Sequence, residues 1–265
     1  MTTLPSPYAL DNGDDWAAAH HSLLAQLFDS ESQRQALRHG SLADKRCLEV
    51  GVGVGGRFAL WLAEQVGEAG NVLAIDLEPR DIPVHERLTV EAQDITSYPL
   101  DSAWDFIHAR LVLRHIPERV AVLHKLVEAL APGGMILVEE FYLMPEYMVV
   151  AAPTQDARQL YMDVQRLLTY RGFENVDPVW AREVHRALRA YGLNLVHTDI
   201  HSEIWEGGGL GCELVAGTIQ QLRPKLLATG KVTAEHLDEV LELLDDEAFV
   251  LAGHPMYSTS GRKPE

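Results

Sequence analysis

Residues 49–56 read Glu49-Val50-Gly51-Val52-Gly53-Val54-Gly55-Gly56. They join a short apolar run, 46–50 (RCLEV), to an amphipathic stretch, 57–66 (RFALWLAEQV). The first has the texture of a buried strand and the second has helical spacing. Glycines at a strand-to-helix junction permit a tight turn and let the backbone come close to a ligand.

Outward from this loop the pattern repeats. Strands are expected at 71–76 (NVLAID), 87–91, 104–109 (WDFIHA) and 135–141 (MILVEEF). A helix over Glu118–Leu130 is stopped by Pro132-Gly133-Gly134. Strands alternating with helices imply right-handed βαβ units and a parallel sheet. Pro79, Pro83 and Pro99 weaken the helices after the second and third strands. Upstream, Asp14 or Asp15 can cap a helix carrying Trp16, Leu23, Leu24, Leu27 and Phe28. Ser30 and Gln33 resemble a capping box opening a second short helix that ends at Gly40.

Past residue 141 the alternation stops. Tyr142, Met144, Tyr147 and Met148 precede helices near 154–171 and 178–191. One long strand is expected over 193–205, ended by Gly207-Gly208-Gly209. Helices near 211–228 and 233–247 and an extended segment, 249–261, complete the chain. The expected division is a helical N-terminal arm or lid, 1–40, and a domain, 41–265, with insertions near 142–178 and 207–248.

Composition narrows the partners. The 265 residues carry a formal charge of −17, and no basic patch interrupts it. Such a field repels nucleic acid and anionic membranes. The hydrophobic content of 47% is that of a globular chain, and no apolar run approaches the roughly 18 residues of a membrane span. Residues 1–16 lack the pattern of a secretion signal. Cys47 and Cys212 read as reduced thiols of a cytoplasmic protein.

Spacing alone leaves the ligand open. Gly51, Gly53 and Gly56 satisfy the G-x-G-x-x-G of dinucleotide binders, whereas Gly51, Gly53 and Gly55 satisfy E/D-x-G-x-G-x-G. Asp76 closes the second strand, where a carboxylate can accept both ribose hydroxyls of an adenosine. Glu49 favours the second pattern. A pyrophosphate gains nothing from an anion there, whereas an ammonium group does. Asp94 follows the third strand in EAQDI, where an acceptor could meet an adenine amine.

LEVGVGVGG, AIDLEP, AQDI, WDFIHARLVLRHIP and LAPGGMILVEE, in this order, resemble the class I S-adenosylmethionine-dependent methyltransferases. The texture is similar to the bacterial small-molecule, natural-product branch. The resemblance covers residues 45–141 most fully. It implies an α/β fold with a Rossmann-like, seven-stranded, mostly parallel sheet and S-adenosyl-L-methionine across the carboxyl ends of its first four strands. Gly51, Gly53 and Gly55 would then lie against the methionine half of the cofactor. Asp76 would hold the ribose, Leu77 would pack on adenine, and Asp94 with Ile95 would meet its amine edge. Arg110 would line the methionine and acceptor side.

The implied activity is methyl transfer to a small organic acceptor, first of all at a hydroxyl oxygen. Rival readings are an S-adenosylmethionine-binding cyclase or isomerase, a cofactor-sensing module and an NAD(P)-dependent oxidoreductase. His115, before Pro117, is the candidate general base, expected to titrate near its usual value of about 6.5. Tyr8, Glu140, Tyr147 and His254 are candidates for the acceptor side. No metal site is read: His197, Asp199, His201 and Glu203 alternate along a strand, where i and i+2 stand about 7 Å apart, and they describe a polar outer face. A homodimer is one assembly this reading allows.

Overall fold

Parallel strands inside an α/β sheet are covered on both faces, so they read as nearly unbroken apolar runs. Cys47, Leu48, Val50, Phe106, Ile107 and Ala109 have that character, and all are at most 1% exposed. A computed structural model of the protein describes residues 15–101, 103–172 and 176–265. Tyr8 lies outside the described residues. In chain order the elements are α1 (Asp15–Ala36), β1 (Arg46–Val50), α2 (Arg57–Gln65), β2 (Asn71–Asp76), β3 (Leu88–Ala92), β4 (Trp104–Arg110), α3 (Arg119–Ala129), β5 (Leu130–Phe141), β6 (Val149–Ala151), α4 (Gln155–Leu167), α5 (Ala181–Ala190), β7 (Asn194–His201), β8 (Ile204–Glu206), α6 (Leu210–Ala228), α7 (Ala234–Asp245), β9 (Val250–Ala252) and β10 (Met256–Arg262). Among the described residues no helix is long and apolar enough to cross a membrane.

Residues 28–142, 179–201 and 256–265 form one unit. Its seven-stranded sheet has the order β3-β2-β1-β4-β5-β10-β7. The pairs β1–β2, β2–β3, β1–β4 and β4–β5 are parallel, and β10 runs antiparallel to β5 and β7. This is the Rossmann-like architecture expected from the sequence. The chain leaves β1 toward one edge and returns at β4 to build the other. The strand order therefore reverses between β1 and β4, where open α/β sheets bind ligands beyond their carboxyl ends.

Alternation along the strands gives the sheet two different faces. Leu48, Val50, Ile107, Ala109, Ile136 and Val138 join Leu123, Leu126, Val184 and Leu188 of α3 and α5 in one core. Cys47, Phe106, Met135 and Leu137 join Phe58 and Leu62 of α2 and Ala36 of α1 in the other. On that second face the parallel strands turn polar toward their carboxyl ends, at Glu49, His108 and Glu139, beside Ser258 near the start of antiparallel β10, and all four are at most 4% exposed.

Helix α1 runs unbroken through Ser30, where a new helix is expected from the capping-box pattern. The reason is the character of its buried stripe. Phe28, Asp29, Ser32, Gln35 and Ala36 recur at helical spacing and are all buried, but three of the five are polar. Arg110 donates to Asp29 Oδ1 at 2.8 Å and to Ser32 Oγ at 2.9 Å, and Gln35 donates to Asp199 Oδ2 at 2.6 Å. The helix is held to the sheet by polar side chains. Arg110→Ala is accordingly expected to destabilise the protein by about 1.5–3 kcal/mol, the scale of hydrogen bonds to charged groups. Urea unfolding with a lowered midpoint and an unchanged slope checks this.

The described residues among 1–27, 143–178 and 202–255 form the other unit. It holds α4, α6, α7 and a small antiparallel sheet, β6-β9-β8. Tyr161, Val164, Ile219, Leu222, Leu237, Val240 and Phe249 form its buried interior, with the Tyr161 and Phe249 rings 5.0 Å apart. The expected strand 193–205 is two strands in two sheets, broken at Ser202-Glu203. There Ser202 Oγ donates to Gly253 O at 3.0 Å and Gly253 N to Glu203 O at 2.7 Å. The boundary between the two units falls within α1, after Leu27.

Candidate active site

The glycine loop follows β1 at the point where strand order reverses. Gly51, Gly53 and Gly55 all have left-handed backbone, with φ of 79°, 65° and 79°, a region β-branched residues avoid. A Cβ on Gly51 would stand 2.1 Å from Val112 Cγ2, so the turn after β4 can approach only a glycine. A Cβ on Gly55 would meet no heavy atom within 4 Å. The loop is tied to the end of β2. Asp76 Oδ2 accepts the Gly53 amide and Oδ1 the Glu78 amide, each at 2.9 Å. Gly55 N donates to Arg80 O at 2.9 Å. Beside Asp76, Leu77 is 48% exposed.

The next residues divide sharply. Asp94 is exposed, and its Oδ1 accepts both the amide and the hydroxyl of Thr96 at 2.8 Å. Ile95 is buried in the core, and its carbonyl accepts from the Lys125 ammonium. Its side chain is therefore committed to packing, and only its backbone is left for recognition.

Below the loop lies a buried polar cluster in which Glu49, a candidate from the sequence, meets His108 and Glu139, which the sequence alone does not single out. Glu49 Oε2 is 2.7 Å from His108 Nδ1, and Glu139 Oε2 is 3.0 Å from His108 Nε2. Ser258 donates its hydroxyl to Glu139 Oε1 at 2.5 Å. Phe58 covers the imidazole, with the ring centroids 4.1 Å apart. Burial alone would lower the basicity of His108, but the two carboxylates raise it to about 9. Glu139 is driven down by His108, Arg110 and Ser258 against the effect of burial. Burial pushes Glu49 up, opposed by His108 and Arg110. The signal in the sequence was a polar residue inside each of three apolar parallel strands, in RCLEV, WDFIHAR and MILVEEF.

Two further candidates flank the end of β4. His115 closes a one-turn 3-10 helix, Leu113–His115. Burial, then Arg114 and Arg119, push it down to about 3. The value near 6.5 expected from the sequence is thus displaced, and the ring stays neutral at working pH. Glu140, at the end of β5, is 1% exposed. Its Oε1 accepts the Arg114 amide at 3.1 Å, while Oε2 is buried without a hydrogen-bond partner among the described residues. Burial pushes its carboxyl up to about 7. Tyr147 and His254 belong to the other unit. Tyr147 is exposed, and His254 stands edge-on to Trp205 at 5.1 Å.

A seven-stranded sheet of this order, with a glycine loop at its switch point and an aspartate at the end of the adjoining β2, agrees with the comparison of sequences. A family model described as a methyltransferase domain matches residues 16–198. The chain belongs to that family. Among curated proteins, methyltransferase str2 of Strobilurus tenacellus is 32% identical over 142 residues, which are 51% of this chain and 49% of that protein. Phosphoethanolamine N-methyltransferase 2 of Caenorhabditis elegans is 30% identical over 99 residues, 34% of this chain and 22% of that one. The matched segments thus span less than half the length of these curated relatives. Among solved structures, a Bacillus halodurans protein superposes with a TM-score of 0.56 at 17% identity, covering 89% of this chain and 100% of the other. The Haemonchus contortus phosphoethanolamine N-methyltransferase 2, solved with phosphomonomethylethanolamine and S-adenosylhomocysteine, gives 0.53 at 15% identity, covering 94% and 57%. These likenesses establish the methyltransferase fold.

Proposed function

We propose that this methyltransferase domain transfers a methyl group from S-adenosylmethionine to a hydroxyl oxygen of a small organic acceptor, of the natural-product type. The observation that carries the cofactor is Asp76 at the carboxyl end of β2, held against the Gly53 amide of the loop at the switch point. A carboxylate offers about four lone-pair sites. After accepting two amides, Asp76 keeps capacity for two ribose hydroxyls. The open space at Gly55 and the uncovered Leu77 fit an adenosine with its amino-acid arm, and Glu49 supplies a carboxylate for an ammonium group. Family membership supports the same cofactor, as do Haemonchus relatives solved with S-adenosylhomocysteine and S-adenosyl-L-methionine.

When bound, S-adenosylmethionine supplies a methyl group already activated on a sulfonium. The chain's own work is to hold, orient and shield, and positioning of this kind accounts for up to about 7–11 kcal/mol of a barrier. A hydroxyl acceptor also needs a group that takes its proton. His115, neutral down to about pH 3, is present in its basic form but has little affinity for a proton. Glu140, at about 7, is matched to the task. The base we propose is therefore Glu140, with His115 beside it on the acceptor side.

Below about pH 7 Glu140 holds its proton and cannot accept another, so kcat rises with pH through that value. Glu140→Gln is expected to lower kcat by about 10²-fold or more and to remove the inflection, with the KM for S-adenosylmethionine little changed. His115→Gln is expected to keep the inflection. Rate profiles of the three proteins check this.

The activity itself is tested with methyl-labelled S-adenosylmethionine and a panel of phenols, alcohols and amines. S-adenosylhomocysteine is expected in equal amount to a product labelled on oxygen. Label on nitrogen overturns the oxygen assignment, and absence of S-adenosylhomocysteine with every acceptor overturns methyl transfer.

A further inference from the structure

Glu49 and Glu139 lie on strands either side of β4, and His108 meets both, one through each ring nitrogen. The geometry fixes its proton count. A carboxylate oxygen only accepts, and a neutral imidazole has one donor and one acceptor nitrogen. With an acidic oxygen at 2.7 Å from Nδ1 and another at 3.0 Å from Nε2, either both ring nitrogens carry protons or one carboxyl does. Ser258, donating to Glu139, stabilises the ionised form of that residue. The arrangement is therefore an imidazolium between two carboxylates, sealed under Phe58.

We propose that His108 is a positioning residue for the cofactor: its imidazolium, bridging Glu49 and Glu139, keeps the Glu49 carboxylate ionised and fixed beside the glycine loop, where it receives the cofactor's ammonium group. The inference rests on the S-adenosylmethionine reading and adds a residue to it. The other groups facing this cluster leave His108 the deciding one. Arg110 on β4 is shared with Asp29 and Ser32 of α1, and Arg57 of α2 also turns to Asp29. Cys47 on β1 is pushed up to about 12 and stays uncharged. Asp76 on β2 accepts two backbone amides. Asp199 on β7 is held by Arg34, Gln35 and Arg38. Without a cation between them, two buried carboxylates cannot both stay ionised, and one takes up a proton. Ser258 keeps Glu139 charged, so the protonated group becomes Glu49.

The test is calorimetric titration with S-adenosylhomocysteine, which carries the same ammonium group, between about pH 6 and pH 8, a window in which an imidazolium raised this far stays charged. Wild-type affinity is expected to be flat across the window. His108→Gln is expected to bind at least about tenfold more weakly at the acid end and to recover as pH rises and Glu49 ionises. The double variant His108→Gln/Glu139→Gln removes the competing carboxylate, and its affinity at the acid end is expected to recover toward wild type. A merely structural histidine would give a loss that neither pH nor the second substitution repairs. Nitrogen NMR of the cofactor-free wild type should show both His108 ring nitrogens protonated across the window, a readout that stands if the variant does not fold. Equal affinity and an equal pH profile in His108→Gln, or a neutral His108 ring in the wild type, overturns the inference alone. A wild type that binds no S-adenosylhomocysteine overturns it together with the cofactor reading.

Discussion

Gly53→Val is expected to abolish S-adenosylhomocysteine binding while the protein stays folded. Gly53 has a φ of 65°. A β-branched residue held there costs of order 1–3 kcal/mol in strain. That is small beside the roughly 5–15 kcal/mol that keeps a domain folded, so the fold survives. The loop does not survive unchanged. A relaxed valine leaves the left-handed region and withdraws its amide from Asp76 Oδ2, now 2.9 Å away. It also puts a branched side chain into space the ligand needs. Far-ultraviolet circular dichroism like the wild type's, with no heat on titration, is the expected pair of results. Normal binding in a folded variant would mean that this loop does not approach the cofactor.

Asp76→Ala is expected to weaken cofactor binding by about 1.5–3 kcal/mol, the scale of hydrogen bonds to a charged group, or roughly 10- to 150-fold. Two losses combine. The ribose loses its acceptor, and the Gly53 and Glu78 amides lose theirs. A thermal melt separates them. The loss of ribose contacts lowers affinity with little change in the cofactor-free midpoint, whereas the loss of loop order lowers both. Unchanged affinity in a folded variant removes Asp76 from the site.

The central strands were readable because parallel strands buried on both faces leave an apolar signature that little else produces, as in NVLAID and MILVEEF. The glycine loop and Asp76 were readable as a pair because residue type and local spacing mark them, and the structure sets Asp76 against the Gly53 amide. What stayed hidden depends on partners distant in sequence. Val149–Ala151, Ile204–Glu206 and Val250–Ala252 are too short to register as strands singly, and they gain their pairing only from one another. The break at Ser202-Glu203 left no mark because the alternation of LNLVHTDIHSEIW runs straight through it. The Ser30–Gln33 pattern imitates a helix start, and the sequence alone does not show that Arg110 and Asp199 partner Asp29, Ser32 and Gln35 and carry α1 through it.

The site followed the same division. His108 and Glu139 sit in apolar strands, and their meaning came only from the register that sets them beside Glu49 and Ser258. His115 had the residue type of a base but not its environment, since Arg114 and Arg119 and its burial hold it neutral. Glu140 gains its elevated value from burial that local sequence does not reveal.

The polar layer also gives α1 a second role. The carboxyl ends of β1, β4 and β5 expose charge on the face that α1 covers, and α1 answers with Asp29 and Ser32 rather than with an apolar stripe. The same contacts that hold the helix keep Arg110 beside Glu49 and Glu139, both of which feel its charge. The anchoring of α1 and the charge state of the buried carboxylates are coupled here through one guanidinium.

The central claim, that the loop at the β1–β4 switch point binds S-adenosylmethionine, is tested most directly by calorimetric titration of the wild-type protein with S-adenosylhomocysteine and, separately, with NAD. The expected result is saturable single-site binding of S-adenosylhomocysteine, lost in Gly53→Val, and no binding of NAD. Saturable binding of NAD with none of S-adenosylhomocysteine would contradict it.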